Sequence, residues 1–230
     1  MIDDDGQLFS LEQALTAETY YQTEGVFYEP FFVLEQKIAS LARFHALSIS
    51  TAGQFVVESQ ASLVIETGRK QSAELQDLHF SLTMADKEYF EQFVYASVLT
   101  QLFSIFETFL LEIIDLLKSE LAIQEPVQKE NIPLINRYIK WINHSAEAEF
   151  SISKETWSTL DILREIRNRF VHAQTKTIPE QMIQRFREHH DQAKSSGLSE
   201  HEHSVLLAFR TIGTTAKQVE LAVLKRMQSE

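Results

Sequence analysis

The sequence predicts an all-α protein, and three observations carry this. Glycine and proline are scarce, six and four in 230 residues, too few for a turn-rich β fold. Apolar residues recur at three- and four-residue steps over most of the chain, the period of one helix face. The interruptions are short and hold helix breaks: Glu125-Pro126, Ile178-Pro179 and Lys194-Ser195-Ser196-Gly197.

Each element follows from its pattern. Residues 29–47 place Phe32, Leu34, Ile38, Leu41 and Phe44 near helical spacing. Residues 50–82 leave a choice, because Phe55-Val56-Val57 and Leu63-Val64-Ile65 suit two short strands or one helix. Residues 85–121 form a long helix with a wide apolar face that includes Phe90, Val94, Val98, Leu102, Phe106 and Leu110, as in a bundle core. A shorter helix follows over 131–143. The helix over 154–173 has a stripe of Trp157, Leu160, Leu163, Ile166 and Phe170. Pro179 suits the first turn of a helix over 179–194. Ser199-x-x-Glu202 reads as a capping box that opens a last helix, 199–228. Two parts result: an acidic, mostly helical N-terminal extension, residues 1–84, packed on a helical domain of residues 85–230.

Composition narrows the class. The chain has no cysteine, which excludes disulfides and thiolate zinc sites and fits a cytoplasmic protein. Met1-Ile2-Asp3-Asp4-Asp5 is the opposite of a secretory signal. The longest charge-free apolar run, about Gln92 to Phe106, is cut off by Glu107, Glu112 and Asp115, so no membrane span is expected. A net charge of −12 argues against indiscriminate binding to nucleic acid. The charge is uneven. Residues 1–36 hold eight acids and no Lys or Arg, whereas residues 164–187 hold six basic residues against two acidic ones, a net +4. The basic run suits a phosphate, and the acidic segment is expected either to aid solubility or to lie near that run and compete with RNA.

Chemistry concentrates in Arg167-Asn168-Arg169-Phe170-Val171-His172, near the end of the 154–173 helix. An imidazole moves a proton at neutral pH, and a guanidinium holds a phosphate that is gaining charge. RNA cleavage needs both. The bare spacing recurs at Arg137-x6-His144 and Arg185-x4-His190; Asn168, the preceding Ile166 and the intervening Phe170-Val171 set the first apart. Asp161, Arg164 or Glu165, Asn168 and His172 fall at steps of three or four and form one polar stripe. Arg167 lies ~140° from His172 around an ideal helix, so a fray near His172 or a second subunit is needed to bring both to one phosphate.

Arg167-Asn168-x-x-x-His172, behind Arg164-Glu165-Ile166, resembles the signature of the HEPN superfamily of nucleotide-binding helical domains, over residues 85–195. Phe103-Ser104-Ile105-Phe106-Glu107 resembles the earlier helix in which that family often carries an acid. The resemblance implies a HEPN-like helical bundle and a metal-independent endoribonuclease, such as a toxin or anti-phage effector. Arg167 holds the phosphate, Asn168 orients, His172 acts as general acid or base, and Glu107 supports. Arg164, Arg169 and Lys176 are candidate RNA contacts. The implied partners are RNA, a second copy in a homodimer and an antitoxin-like or regulatory protein, with no cofactor. The alternative is a non-catalytic HEPN-like module that binds RNA, a nucleotide or a protein. Glu188-His189-His190 and His201-Glu202-His203 lack metal-ligand spacing and read as surface residues, so no metal is expected.

Overall fold

The computed structural model describes residues 21–25, 27–67, 73–127, 131–148, 150–172, 178, 180–188 and 200–229. The described residues contain six helices and no strand: α1 (Glu29–Thr67), α2 (Ala73–Glu120), α3 (Leu134–Ser145), α4 (Lys154–His172), α5 (Glu180–Glu188) and α6 (Glu200–Met227). The all-α expectation holds. The open choice over 50–82 falls to helix: α1 runs on through Phe55-Val56-Val57, and α2 begins at Ala73. β-branched residues lower helix propensity by only a few tenths of a kcal/mol each, which packing against a second helix offsets. Ser199, expected to cap α6, lies outside the described residues, as do residues 189–194.

The axis of the fold is α2, which packs against α1, α3, α4 and α6. Its C-terminal half buries a wide face and leaves one side, with Gln101, Thr108, Leu111 and Asp115, exposed. Leu99, Leu102, Phe106, Leu110, Ile113 and Leu117 are fully covered, as befits a helix at the centre of a bundle. Phe31 of α1 meets Phe109 of α2 with ring centroids 5.9 Å apart, and Phe209 of α6 belongs to the same core. The division expected near residue 84 therefore falls inside one continuous helix, and α1 shares the core of α2. From Asp77 to Glu120 this helix is long and apolar enough to cross a membrane by length and composition, but 56% of its most apolar window is buried in the bundle.

Residues 21–25 are pinned to α6 by one carboxylate. Glu220, with no exposed surface, accepts from Thr23 Oγ1 at 2.6 Å and from the N–H groups of Glu24 and Gly25 at 2.7 and 2.8 Å. Its other oxygen faces the Lys217 ammonium at 3.2 Å, and Lys217 also pairs with Glu24 at 3.0 Å. These bonds hold the carboxyl below its usual range in spite of burial. Gly25 permits the approach: an added Cβ would sit 2.8 Å from the Phe31 ring. The described part of the acidic N-terminal segment is thus anchored to α6, and residues 1–20 lie outside the described residues.

Beyond the core, α1 and α2 continue together as a two-helix arm. Among the described residues of 46–67 and 73–92, only Ala52 and Thr83 are buried. At the base of the arm His45 is wholly buried against Tyr95, whose ring stacks on His201 of α6 at 5.3 Å. Neither His45 nitrogen has a hydrogen-bond partner, and burial pushes its pKa down to about 4.

Candidate active site on helix α4

The first turn of α4 is fixed by Ser153, whose Oγ accepts from the Thr156 N–H at 3.1 Å. Leu160, Ile162, Leu163 and Ile166 are buried and seat the helix, which packs on α2 and α6. Asp161, Arg164, Glu165, Arg167 and Asn168 are left half-buried along its margins.

Arg167 Nη2 lies 3.8 Å from Glu107 Oε2 on α2, and its Nη1 donates to Asn168 Oδ1 at 3.1 Å. Three of the four candidate catalytic residues, on two helices, therefore stand together. Asn168 directs its carbonyl at Arg167, which leaves its amide group to donate elsewhere. One of the five guanidinium N–H donors is hydrogen-bonded and Glu107 pairs by charge alone, so the group is oriented but not used up. The fourth residue, His172, is the last of α4. By helix geometry its α-carbon is ~7.5 Å beyond that of Arg167 along the axis. Its side chain lies outside the described residues, and so does Lys176. A helix C-terminus favours a protonated imidazole.

The remaining cations are less free than the sequence count suggests. Arg164 binds Asp161 through Nε and Nη2, at 3.1 and 2.7 Å. Arg185 of α5 bridges Glu165 at 2.9 Å and Asp161 at 3.6 Å. Asp161 lies just before the basic run, and with Glu165 it balances two of that run's cations. Arg169 is exposed.

Next to this network is an open cleft of about 330 Å³ whose lining includes Phe103, Asn136, Lys154, Trp157, Asp161 and Arg164. Trp157, read from sequence as part of the buried stripe, is only half-buried and lines this cleft. Tyr138 of α3 is buried close to Glu107; burial first, and then the Glu107 charge, raise its phenol pKa, with Arg137 opposing. Sequence reading missed Arg185 and Tyr138. Arg185 showed as a repeat of the Arg-x4-His spacing and as one of the six basic residues of 164–187, without its partners, and Tyr138 carried no signal, because both act across helices. Among the described residues no three His, Asp or Glu side chains converge as metal ligands; His201 and His203 sit on α6, and His189 and His190 lie outside the described residues. Comparison with family models, with curated proteins and with solved structures finds no match for the chain.

Proposed function

We propose that the chain is a cytoplasmic, metal-independent endoribonuclease of HEPN type, active as a homodimer. The observation that carries the reading is Arg167, held between Glu107 and Asn168 on the helix that ends in His172. In this reaction the RNA 2′-oxygen attacks the adjacent phosphorus, and the bond from phosphorus to the 5′-oxygen breaks. A base takes the 2′-hydroxyl proton and an acid supplies a proton to the departing 5′-oxygen. The products are a 2′,3′-cyclic phosphate and a 5′-hydroxyl. Arg167 offsets the charge that grows on the phosphoryl oxygens, an effect often worth several kcal/mol. Glu107 positions Arg167, and the Asn168 amide donates to a phosphoryl oxygen. His172 performs one proton transfer, and His172 of a second copy performs the other, since one imidazole does not hold both protonation states at once.

The cleft supports an RNA substrate. Trp157 gives an unstacked base an aromatic surface, while Lys154 and Arg164 stand near its phosphate. Arg169, exposed on α4, extends the cationic path. The internal balance of Arg164 and Arg185 by Asp161 and Glu165 favours a second reading, a module that binds RNA or a nucleotide in the cleft without cutting it. Incubation of RNA with purified protein in EDTA separates the two. Cleavage with cyclic-phosphate ends, lost in Arg167→Ala, supports the nuclease. Binding of intact RNA, weakened by Trp157→Ala, supports the module.

A further inference from the structure

Residues 46–67 and 73–92 form a two-helix arm; among its described side chains only Ala52 and Thr83 are buried, yet ten large apolar ones are exposed. At ~200 Å² per side chain and about half exposed, the six that share one side of the arm, Leu47, Phe55, Leu75, Leu78, Leu82 and Tyr89, amount to roughly 600 Å² in each chain, or about 1,200 Å² over two copies, the lower end of a stable interface. Their placement is ordered. Leu75, Leu78, Leu82 and Tyr89 fall within one sector of α2, and Leu47 and Phe55 within one sector of α1. In an antiparallel pair of right-handed helices the two sectors lie on the same side of the arm. Asp77, Glu88 and Glu91 project from the other side of α2.

We infer that this face docks on the same face of a second copy of the chain, arm against arm and antiparallel, with Leu82 of α2 against Leu82 of its mate. Residues 75, 82 and 89 are symmetric about position 82. An antiparallel overlap sets Leu75 opposite Tyr89 and Leu82 opposite its mate, while Leu78 falls level with the exposed Asp86. The same side of α2 is occupied beyond the arm: Phe93 packs on Phe170 of α4 with centroids 5.8 Å apart, and Glu107 meets Arg167. Copies set side by side in parallel would place α4 against α4 and hold the arms about two helix diameters apart. The antiparallel arrangement puts each arm in the open layer past the end of the other copy's α4. The result is a four-helix bundle made from two hairpins. Residues 46–93 carry seven acids against three basic residues, a net −4, which disfavours nucleic acid and anionic membranes; a second copy carries the same charge, so the apolar face and not charge draws it.

This contact is separate from the one that would join two copies of His172. Arm-paired chains hold their α4 ends roughly 33 Å apart, counted from the helical rise between levels 71 and 93. It therefore stands or fails independently of RNA cleavage. Because the chain has no cysteine, single-cysteine variants of the full-length protein report on it directly. Under mild oxidation Leu82→Cys forms a covalent dimer. Leu75→Cys and Tyr89→Cys each stay uncrosslinked alone but crosslink when mixed, because bridged α-carbons must come within ~7 Å. Leu78→Glu combined with Leu82→Glu halves the mass seen in light scattering while helical content by circular dichroism is kept. Three refutations are open: crosslinking of Leu75→Cys with itself, an unchanged mass in the folded double variant, or a monomeric wild-type protein that floats with phosphatidylcholine vesicles.

Discussion

Arg167 and Glu107 are sixty positions apart in sequence and 3.8 Å apart in the fold. Arg167 was legible from the motif it shares with Asn168 and His172, and Glu107 through the resemblance of its helix to one that often carries an acid. What they would be joined to was not legible. Arg185 and Tyr138 reach the site only through the way α5 and α3 pack, and no local spacing encodes that. Because the Arg167–Glu107 pair is partly exposed, Glu107→Gln is expected to cost less than ~1 kcal/mol in urea unfolding. RNA cleavage falls about tenfold or more in that variant, as Arg167 loses its orientation. Loss of activity that tracks unfolding would assign Glu107 a purely structural role. His45 allows a test of the fold away from the site. Its neutral form is the one buried, with a pKa of about 4 against 6.5 in the unfolded chain. As pH falls through 6.5 the unfolded state takes up a proton that the folded state refuses. Stability is therefore lost between pH 6.5 and about 4, by about 3 kcal/mol at 1.36 kcal/mol per pKa unit. His45→Phe should flatten that acid limb in urea titrations at pH 7 and pH 4.5; equal slopes in the two proteins would contradict the assignment.

Four of the helices expected from sequence, over 131–143, 154–173, 179–194 and 199–228, begin within three residues of their observed places, because apolar period and Gly or Pro breaks are local signals; the one expected over 85–121 begins earlier, at Ala73. The exceptions are instructive. α1 runs through Phe55-Val56-Val57, where composition left strands open, because α2 runs back along it and supplies the packing that local propensity lacks. The hold on residues 21–25 had no signature in sequence, since Glu220 lies almost two hundred residues away. Glu220→Gln removes the charge from a buried pair and leaves Lys217 without that partner, a change that typically costs about 3 kcal/mol. Hydrogen exchange is expected to rise first at the Glu24 and Gly25 amides. The carboxylate's contribution is present above the ordinary carboxyl range and is lost as pH falls through its lowered folded value. Gly25→Ala is expected to cost about 1–3 kcal/mol, through the clash with the Phe31 ring. A glycine-to-alanine change without effect on unfolding would show that the segment shifts freely.

At the scale of the whole molecule, a compact half and an exposed half share the same two long helices. The compact half seats α4 and its polar margin; the arm carries apolar surface that a single chain leaves uncovered. Over residues 50–82 the sequence left strand and helix open, and even where a period of 3.6 residues is clear it reports that a face is apolar, not what covers it. Light scattering at tens of micromolar is expected to give a multiple of the 26.6 kDa chain mass. A fully active monomer would remove the second His172 from the mechanism. The most direct measurement of the central claim is cleavage of an RNA oligonucleotide in EDTA by the wild-type chain and by His172→Ala, with the product ends identified. Cyclic 2′,3′-phosphate and 5′-hydroxyl ends, made by the wild type and abolished in a folded His172→Ala variant, are the predicted result. Cleavage that survives the substitution, or 3′-hydroxyl ends, would contradict it.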